Sequence, residues 1–363
     1  STTYPGAVSI FLNAVTRISK YKKNITVYGS TSFKEKYNIK YKNISIQKKV
    51  LGIGSQTTSY IKKFIKIEKR NPSNIIEVHN RPLYVQLLLS NKSKKVLYFH
   101  NDPLSMNGSK NKDERLLLLN LCSKIVFNSE WSKKRFFIGL PNNLGLLSQK
   151  TFVCYQSSSK IKINFKKKIK VISFVGKLNQ AKGYDLFGEA ILKILNKYTD
   201  WSAKVIGDEP REKLIYKHKN LKILGFKNNE HILNLLKKIS ISVVCSRWDE
   251  PFGRTSLEAA SRGAAVIISN KGGLPETNSD AVIINPLSSN NLFIAIEKLI
   301  INEKKLLLLQ KKTYSNFRYT HKYVANIIDT IRKSFISKRK IDLFNINRKL
   351  VLKILHITNF NQR

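Results

Sequence analysis

Residues 245–263 of the chain read CSRWDEPFGRTSLEAASRG. The apolar run ISVVC at their start is typical of a buried strand, and SLEAASRG is typical of a short helix closed by a glycine. Pro251 and Gly253 interrupt both patterns, so the sequence predicts Glu250 on a loop and Glu258 in the first turn of the helix. This stretch therefore predicts two carboxylates at a strand-to-helix junction.

The two carboxylates suit a ligand that has several hydroxyl groups. An ionised carboxylate accepts hydrogen bonds at both oxygens, and vicinal hydroxyls present two donors. The start of the helix adds backbone N–H groups and the positive end of the helix dipole, which favour phosphate. We therefore expect Glu250 and Glu258 to face one cleft that binds a phosphorylated, polyhydroxylated molecule.

The residues around these acids resemble a known family. EPFGRTSLE, with Glu250 and Glu258 separated by seven residues, resembles the Glu-x7-Glu signature of the family 4 retaining glycosyltransferases, and the following LEAASRG strengthens the resemblance. The resemblance implies the α/β GT-B fold, in which two Rossmann-like β/α/β domains face a central cleft. It also implies a hexosyltransferase activity in which Glu250 is catalytic and Glu258, Phe252 and Gly253 bind the donor.

The length of the chain favours two domains. Its 363 residues allow two cores of about 150 to 180 residues each. The lysine-rich, turn-like SSSKIKINFKKK marks the predicted boundary. We predict two Rossmann-like domains over residues 1–165 and 166–315, then a helix over 316–340 and a linker with a stray strand over 341–363. The resemblance implies that the first domain lies on the acceptor side, that the second binds the nucleotide sugar and that the helix returns to the first domain.

The chain is strongly basic, with a formal net charge of +43. Such a charge attracts anionic membrane surfaces, nucleic acid or negatively charged substrates. A+T-rich coding also produces a joint excess of Lys, Ile and Asn, so the charge by itself identifies no partner. The basic stretch between the domains lacks interleaved aromatic residues apart from Phe165, so we do not expect nucleic acid as a partner.

No segment predicts a membrane span or a secretion signal. The apolar runs are far shorter than the ~18 residues that cross a bilayer, and the first residues lack the pattern of a signal peptide. We expect a cytoplasmic protein, and the charge leaves open a peripheral position on the inner face of the plasma membrane. Cys122, Cys154 and Cys245 follow apolar stretches without metal-ligand spacing, so we expect buried core thiols.

The first half of the chain opens on the second part of a β-α-β unit. A helical apolar pattern precedes the strand-like ITVYG, and the first strand of the unit is missing. A weak strand around ISIQ follows. By the resemblance, Gly6 lies where the family has a glycine-rich turn next to the donor phosphate. An ordinary turn glycine is the alternative.

Histidines end two further strands of this half, in IIEVHNRP and KKVLYFHNDP. Ligands bind at the carboxyl ends of strands in open parallel sheets. Both segments resemble bacterial glycosyltransferases that build lipopolysaccharide core or related envelope glycans. The resemblance implies that His100 is catalytic beside the donor sugar and that Asp102 and His79 lie on the acceptor side. A strand-end cap is the alternative role for these side chains.

The second half restarts with a strand, a loop that carries Lys177 and Lys182, and a helix. Two lysines at a strand exit can bind a diphosphate as paired cations, and the resemblance places two phosphate-contacting basic residues here. The sequence has no P-loop, no H-E-x-x-H and no Asp-x-Asp that would hold a nucleotide through a metal. We therefore expect a metal-independent reaction without a cofactor. The resemblance implies that a sugar is transferred with retention of configuration from a nucleotide-diphosphate sugar to a glycan or glycolipid acceptor.

Two glycine-containing turns complete the predicted donor site. Gly225 and Phe226 end a strand where the family binds the nucleotide base. Gly272 and Gly273 belong to GGLPE, which resembles the element that closes on the donor sugar. Glycine lets a backbone come close to a ligand because it has no side chain.

The end of the chain has two interpretations. KILHITNF resembles the opening strand of a glycosyltransferase. We favour the start of a second, truncated enzyme, and the alternative is a circular permutation in which this strand replaces the missing first strand. For the chain as a whole, the alternatives are a non-catalytic basic scaffold for anionic membrane or nucleic acid and another GT-B enzyme such as a sugar-nucleotide epimerase.

Overall fold

The computed structural model describes residues 6–46, 56–336 and 350–356. The chain divides into unit 1, Ser1–Gln156 with His321–Arg363, and unit 2, Ser157–Thr320. Each unit contains one parallel sheet with helices between its strands, which confirms the predicted Rossmann-like α/β class. Within the described ranges, no helix has both the length and the apolar character needed to cross a membrane.

Strands and helices alternate along both units. The strands are β1 (Ile25–Gly29), β2 (Tyr41–Asn43), β3 (Ile75–His79), β4 (Lys94–Phe99), β5 (Lys124–Phe127), β6 (Thr151–Val153), β7 (Ile169–Val175), β8 (Ser202–Ile206), β9 (Leu221–Ile223), β10 (Ile239–Val244), β11 (Ala265–Ser269), β12 (Val282–Ile284) and β13 (Leu352–Leu355). The α-helices are α1 (Ala7–Ile18), α2 (Gln56–Arg70), α3 (Pro82–Leu87), α4 (Lys112–Leu121), α5 (Glu130–Phe137), α6 (Tyr184–Lys197), α7 (Asn229–Leu236), α8 (Arg254–Ser261), α9 (Ser289–Ile300), α10 (Glu303–Asn316) and α11 (His321–Ile336).

The sheet of unit 1 has the strand order β2-β1-β13-β3-β4-β5-β6. β1 and β3 are buried along their whole length, as expected for parallel strands that are covered on both faces. β13 is an integral strand and not a stray one, because it pairs in parallel with β1 on one side and β3 on the other. Its place between β1 and β3 is the pairing that the permutation alternative describes.

The strand predicted around ISIQ lies slightly earlier in the chain. β2 covers Tyr41–Asn43, and its pairing with β1 ends where the backbone N–H of Ile44 donates to the carbonyl of Gly29 at 2.7 Å. The last residue of the predicted strand, Gln47, lies outside the described residues. Pairing with the end of β1 therefore sets the position of β2.

Two late segments of the chain join unit 1 through buried ion pairs. Arg332 of α11 donates two hydrogen bonds of 2.7 Å to Glu77 of β3. Lys353 of β13 lies 2.6 Å from Glu68 of α2. All four side chains are at most 2% exposed. The interior of unit 1 therefore contains matched charges.

The sheet of unit 2 has the order β12-β11-β10-β7-β8-β9. The chain builds outward from β7 through β8 to β9, and then from β10 through β11 to β12 on the other side. The order reverses between β7 and β10, and parallel sheets bind ligands at the carboxyl ends of the strands at such a point. The fold thus brings together the loops that follow these two strands.

Candidate active site

The loops after β7 and β10 bring two predicted catalytic side chains into contact. Lys182 Nζ forms an ion pair with Oε1 of Glu250. Ser246 Oγ donates to the same oxygen at 2.8 Å. The side chain of Glu250 is only 12% exposed, and an ionic interaction strengthens as water is excluded. Glu250, the predicted acid, and Lys182, the predicted cation, therefore form an ion pair that the sequence pattern did not indicate.

Glycines allow these loops to approach each other closely. Gly183 has φ 72°, and a Cβ there would lie 1.9 Å from the carbonyl oxygen of Cys245. Gly272 has φ 58°, and a Cβ there would lie 2.2 Å from the carbonyl oxygen of Glu250. The N–H of Gly273 donates to that same carbonyl at 2.7 Å. A side chain at Gly183 would displace the strand end at Cys245, and a side chain at Gly272 would displace the loop that carries Glu250.

The second predicted lysine also faces a carboxylate. Lys177 Nζ lies 3.8 Å from Oε2 of Glu209, and the side chain of Lys177 is 57% exposed. Arg211 donates to both oxygens of Glu209 at 2.6 and 2.8 Å. These hydrogen bonds, with the charge of Arg211, lower the pKa of Glu209 to about 2, so the carboxylate is ionised. Sequence analysis missed Glu209 and Arg211, although their position in GDEPR after β8 is a strand end.

Glu258 lies two residues further into its helix than the sequence predicts. Gly253 has φ 107° and ends the loop, so α8 begins at Arg254 and Glu258 falls in the second turn. Arg254 Nε lies 2.7 Å from Oε1 of Glu258, and Asn229 Nδ2 donates to that oxygen at 2.7 Å. The spacing of four residues between Arg254 and Glu258 was the signal for this pair.

The remaining predicted donor-binding residues occupy different surroundings. Gly225 has φ 65° and follows β9, and Phe226 beside it is 47% exposed. Phe252 is buried, with 2% of its surface exposed. Gly6 precedes α1 with φ −70°, a conformation that any residue adopts. The roles of these four residues in donor binding stay predictions.

The strand ends of unit 1 bring two histidines together. His79 ends β3, His100 follows β4, and Nδ1 of His79 lies 3.0 Å from Nε2 of His100. Burial lowers the pKa of both rings, so both are neutral near pH 7. Only 1% of the surface of His79 is exposed. This burial does not favour the acceptor-side role of His79, which stays a prediction.

Asp102 has structural partners. Its Oδ1 accepts a hydrogen bond of 3.1 Å from the N–H of Leu104, and its carboxylate forms an ion pair with Arg135 at 2.9 Å. These contacts are those of the strand-end cap that the sequence left as the alternative. A role on the acceptor side stays a prediction.

The three cysteines are buried free thiols, as predicted. Burial raises the pKa of Cys122, Cys154 and Cys245 to about 12, which keeps the thiols protonated and poorly nucleophilic. Within the ranges that the structure covers, no group of histidine, cysteine, aspartate and glutamate side chains could hold a metal ion.

Comparison with known proteins identifies the segment that contains these lysines and carboxylates. Residues 156–316 match the family model of the group 1 glycosyl transferases. This match covers nearly all of unit 2, including Lys177, Lys182, Glu250 and Glu258. The residues that the sequence singled out for a sugar diphosphate thus lie in the part of the chain that resembles this family.

Relatives and solved structures agree with this match. The uncharacterized glycosyltransferase MJ1607 of Methanocaldococcus jannaschii is 37% identical over 131 residues, 32% of each chain. Spore coat protein SA of Bacillus subtilis is 23% identical over 313 residues, 75% of this chain and 78% of that protein. The crystal structure of HepE from Anabaena in complex with UDP-glucose superimposes with a TM-score of 0.72 at 18% identity, over 92% of this chain and 97% of that one. The last comparison confirms the GT-B fold.

Proposed function

We propose that the chain is a retaining glycosyltransferase that transfers a sugar from a nucleotide-diphosphate sugar to an envelope glycan or a lipid-linked acceptor. The observation that carries the proposal is the contact between Lys182 and Glu250 at the strand-order reversal of unit 2, within the segment that matches group 1 glycosyl transferases. The bound UDP-glucose of the HepE structure supports a nucleotide sugar as the donor. The resemblance of the strand ends around His79 and His100 supports an envelope acceptor.

The positive groups of unit 2 bind the diphosphate in this proposal. Lys177 and Lys182 supply two cations, and the first N–H groups of α8 have no acceptor within the helix. In the structure, Lys177 faces Glu209 and Lys182 faces Glu250. A bound diphosphate would replace these carboxylates as the partner of the lysines. The lysines would stabilise it most strongly as it leaves the sugar, because its negative charge increases at that step.

The two glutamates bind hydroxyl groups. Glu250 would accept hydrogen bonds from hydroxyls of the transferred sugar and orient its ring. Glu258 would hold the ribose hydroxyls, with Arg254 and Asn229 fixing its carboxylate. Both side chains are more than four-fifths buried, which strengthens hydrogen bonds to a ligand.

The reaction proceeds on one face of the sugar. The bond between C1 and the phosphate oxygen breaks with oxocarbenium character, and the acceptor oxygen forms a bond to C1 on the same face. The departing phosphate takes the proton of the acceptor hydroxyl, so the anomeric configuration is retained. The lysines stabilise the leaving group electrostatically, and we therefore propose that transfer needs no metal ion. The net charge of +43 supports a peripheral position on an anionic membrane that contains the acceptor.

A donor screen tests this function. UDP-, GDP- and ADP-sugars are added to the wild-type protein and to Glu258→Ala, and the melting temperature is followed. Glu189→Ala, which removes an exposed glutamate of α6, is the matched control. We expect one donor to raise the melting temperature of the wild type and of Glu189→Ala but not of Glu258→Ala. Product NMR then reports the anomeric configuration, and turnover in excess EDTA tests metal independence.

A response to no donor would contradict the proposal. The basic charge then favours the scaffold that binds anionic membranes. Co-sedimentation with phosphatidylglycerol vesicles would support that alternative. Inversion of configuration, or loss of turnover in EDTA that Mg²⁺ restores, would overturn the corresponding part of the proposed mechanism and leave the donor assignment intact.

A further inference from the structure

The buried histidine pair of unit 1 leads to a specific protonation state. Nδ1 of His79 and Nε2 of His100 share one hydrogen bond of 3.0 Å, so one of the two nitrogens carries the proton and the other accepts. Both rings are neutral, because burial lowers the pKa of each. Only two arrangements of the protons therefore maintain this hydrogen bond.

The surroundings of His79 distinguish the two arrangements. Its Nε2 lies 3.9 Å from Oε2 of Glu77. Burial would raise the pKa of Glu77, but the charge and hydrogen bonds of Arg332 outweigh it and lower this pKa to about 2, so Glu77 is an anion. A proton on Nε2 of His79 is attracted to that anion, whereas a lone pair on Nε2 is repelled. Glu77 therefore favours the form of His79 with a bare Nδ1.

A bare Nδ1 on His79 determines the state of His100. Nε2 of His100 must then be the donor of the shared hydrogen bond, and Nδ1 of His100 is a bare acceptor. Nδ1 of His100 is buried and has no hydrogen-bond partner among the described residues. Nε2 of His79 is likewise buried without a hydrogen-bond partner among those residues, so either arrangement leaves one buried N–H unpaired. Only the arrangement with Nε2–H on His79 places that N–H near an anion, Glu77.

Packing fixes both rings in this geometry. His79 stacks on Tyr98 with ring centroids 4.3 Å apart, and Phe11 contacts the edge of His100 at 5.2 Å. The backbone N–H of His100 donates to Oδ1 of Asn80 at 3.0 Å. Neither ring can exchange its nitrogens by rotation without breaking the shared hydrogen bond.

We propose that His79 is a positioning residue, which, with Glu77, holds His100 in the Nε2–H tautomer and so presents Nδ1 as a hydrogen-bond acceptor. The consequence for catalysis rests on the proposed function, in which His100 approaches the donor sugar. A bare nitrogen accepts a hydrogen bond from a sugar hydroxyl but cannot donate one to a phosphate oxygen. His100 would therefore offer no N–H to the leaving group.

Histidine NMR tests the tautomer without any substrate. In protein labelled with ¹⁵N at histidine, long-range proton–nitrogen correlation spectra distinguish protonated from bare ring nitrogens. His79→Asn and His79→Leu are compared with the wild type. We expect Nε2–H on His100 in the wild type and in His79→Asn, whose side-chain oxygen can replace the accepting nitrogen, and a mixture of tautomers in His79→Leu. Nδ1–H on His100 in the wild type would overturn the proposal.

Kinetics then test the consequence. We expect His79→Leu to lose about tenfold in kcat at a near-normal donor KM, and His79→Asn to recover most of that loss. Tyr98→Phe is the matched control, since it keeps the stacked ring and removes only a hydroxyl, and it should change neither the spectrum nor kcat. Equal losses in His79→Leu and His79→Asn would show that His79 acts only through packing. The expected tautomer without turnover on any donor would overturn the proposed function and leave the tautomer assignment intact.

Discussion

Units 1 and 2 share one architecture but place their charged side chains differently. In unit 1 the pairs Glu77–Arg332 and Glu68–Lys353 lie in the interior, with every side chain at most 2% exposed. In unit 2 Lys170–Asp200 lies on the surface, with its side chains 49% and 59% exposed, and Lys182–Glu250 lies at the strand ends. Unit 1 thus uses charge to join distant segments, and unit 2 presents charge where a ligand can bind.

The difference follows from how each sheet is completed. Unit 2 is continuous in sequence, and its core contains mainly aliphatic and aromatic residues from successive strands and helices. Unit 1 needs α11 and β13 from the other end of the chain, and each brings a cation to a buried acid. A buried pair is costly to break because the remaining charge has no solvent, so unit 1 should be the more sensitive unit to single charge changes.

The largest expected effect is on the stability of unit 1. Arg332→Met leaves Glu77 and Asp329 buried without their cation and should cost about 3–5 kcal/mol of unfolding free energy. Hydrogen exchange of the β3 and β4 peptides measures the loss. Asp200→Asn, which breaks the exposed pair of unit 2, is the control and should leave stability nearly unchanged. Similar losses in the two variants would remove the distinction between the units.

The next effect is on catalysis in unit 2. Lys182→Gln removes the cation that Glu250 holds and should lower kcat by about a hundredfold, because the leaving diphosphate loses a fixed positive charge. The melting temperature should change little, since the lysine is one-third exposed. Lys193→Gln, an exposed lysine of α6, is the matched control and should keep full turnover. Wild-type kcat in Lys182→Gln would contradict the proposed role.

The effect of pH should be concentrated in unit 1. Burial lowers the pKa of His79, His100 and His356, and that of His356 falls to about 3. The charge of a neighbouring histidine lowers the pKa of His100 and of His356 further. The charge of Arg332 does the same for His79. Below pH 6.5 the unfolded chain binds protons at these positions and the folded unit does not, so stability falls as the pH falls. Each ring contributes up to about 1.4 kcal/mol per pH unit.

Denaturant unfolding at pH 7.5, 6.5 and 5.5 checks this slope. Hydrogen exchange of β3 peptides, corrected for the intrinsic rate, assigns the change to unit 1. His356→Gln should reduce the dependence of the unfolding free energy on pH by the contribution of one histidine ring. A slope that is unchanged in this variant would show that His356 does not contribute.

The smallest effect is on donor affinity. Phe226 is 47% exposed, so Phe226→Ala should cost little stability and, if the nucleotide base contacts this ring, about 1 kcal/mol of donor binding. A titration with the donor found in the screen measures the change. Phe152→Ala in unit 1, which removes a ring that is 38% exposed, is the control. An unchanged donor affinity would remove Phe226 from the site.

Local patterns predicted most of the elements and the loops of unit 2. The apolar runs and the turn residues identified the strands, and EPFGRTSLE with GGLPE identified the loops that hold Glu250. The start of α8 was missed by two residues, because only the backbone conformation of Gly253 shows where the loop ends. Contacts were less predictable than elements, since no spacing rule relates Lys182 to Glu250 across two strands.

The sequence by itself determined the α/β class, the alternation of strands and helices, and the acids, lysines and glycines of the proposed sugar-diphosphate site. These features depend on local periodicity and on residues that are close in the chain. Only the tertiary structure decided that β13 completes the sheet of unit 1, that Arg332 meets Glu77 and that His79 contacts His100. Such contacts depend on strand order, and strand order is set by burial and pairing summed over the whole sheet, which no short segment encodes.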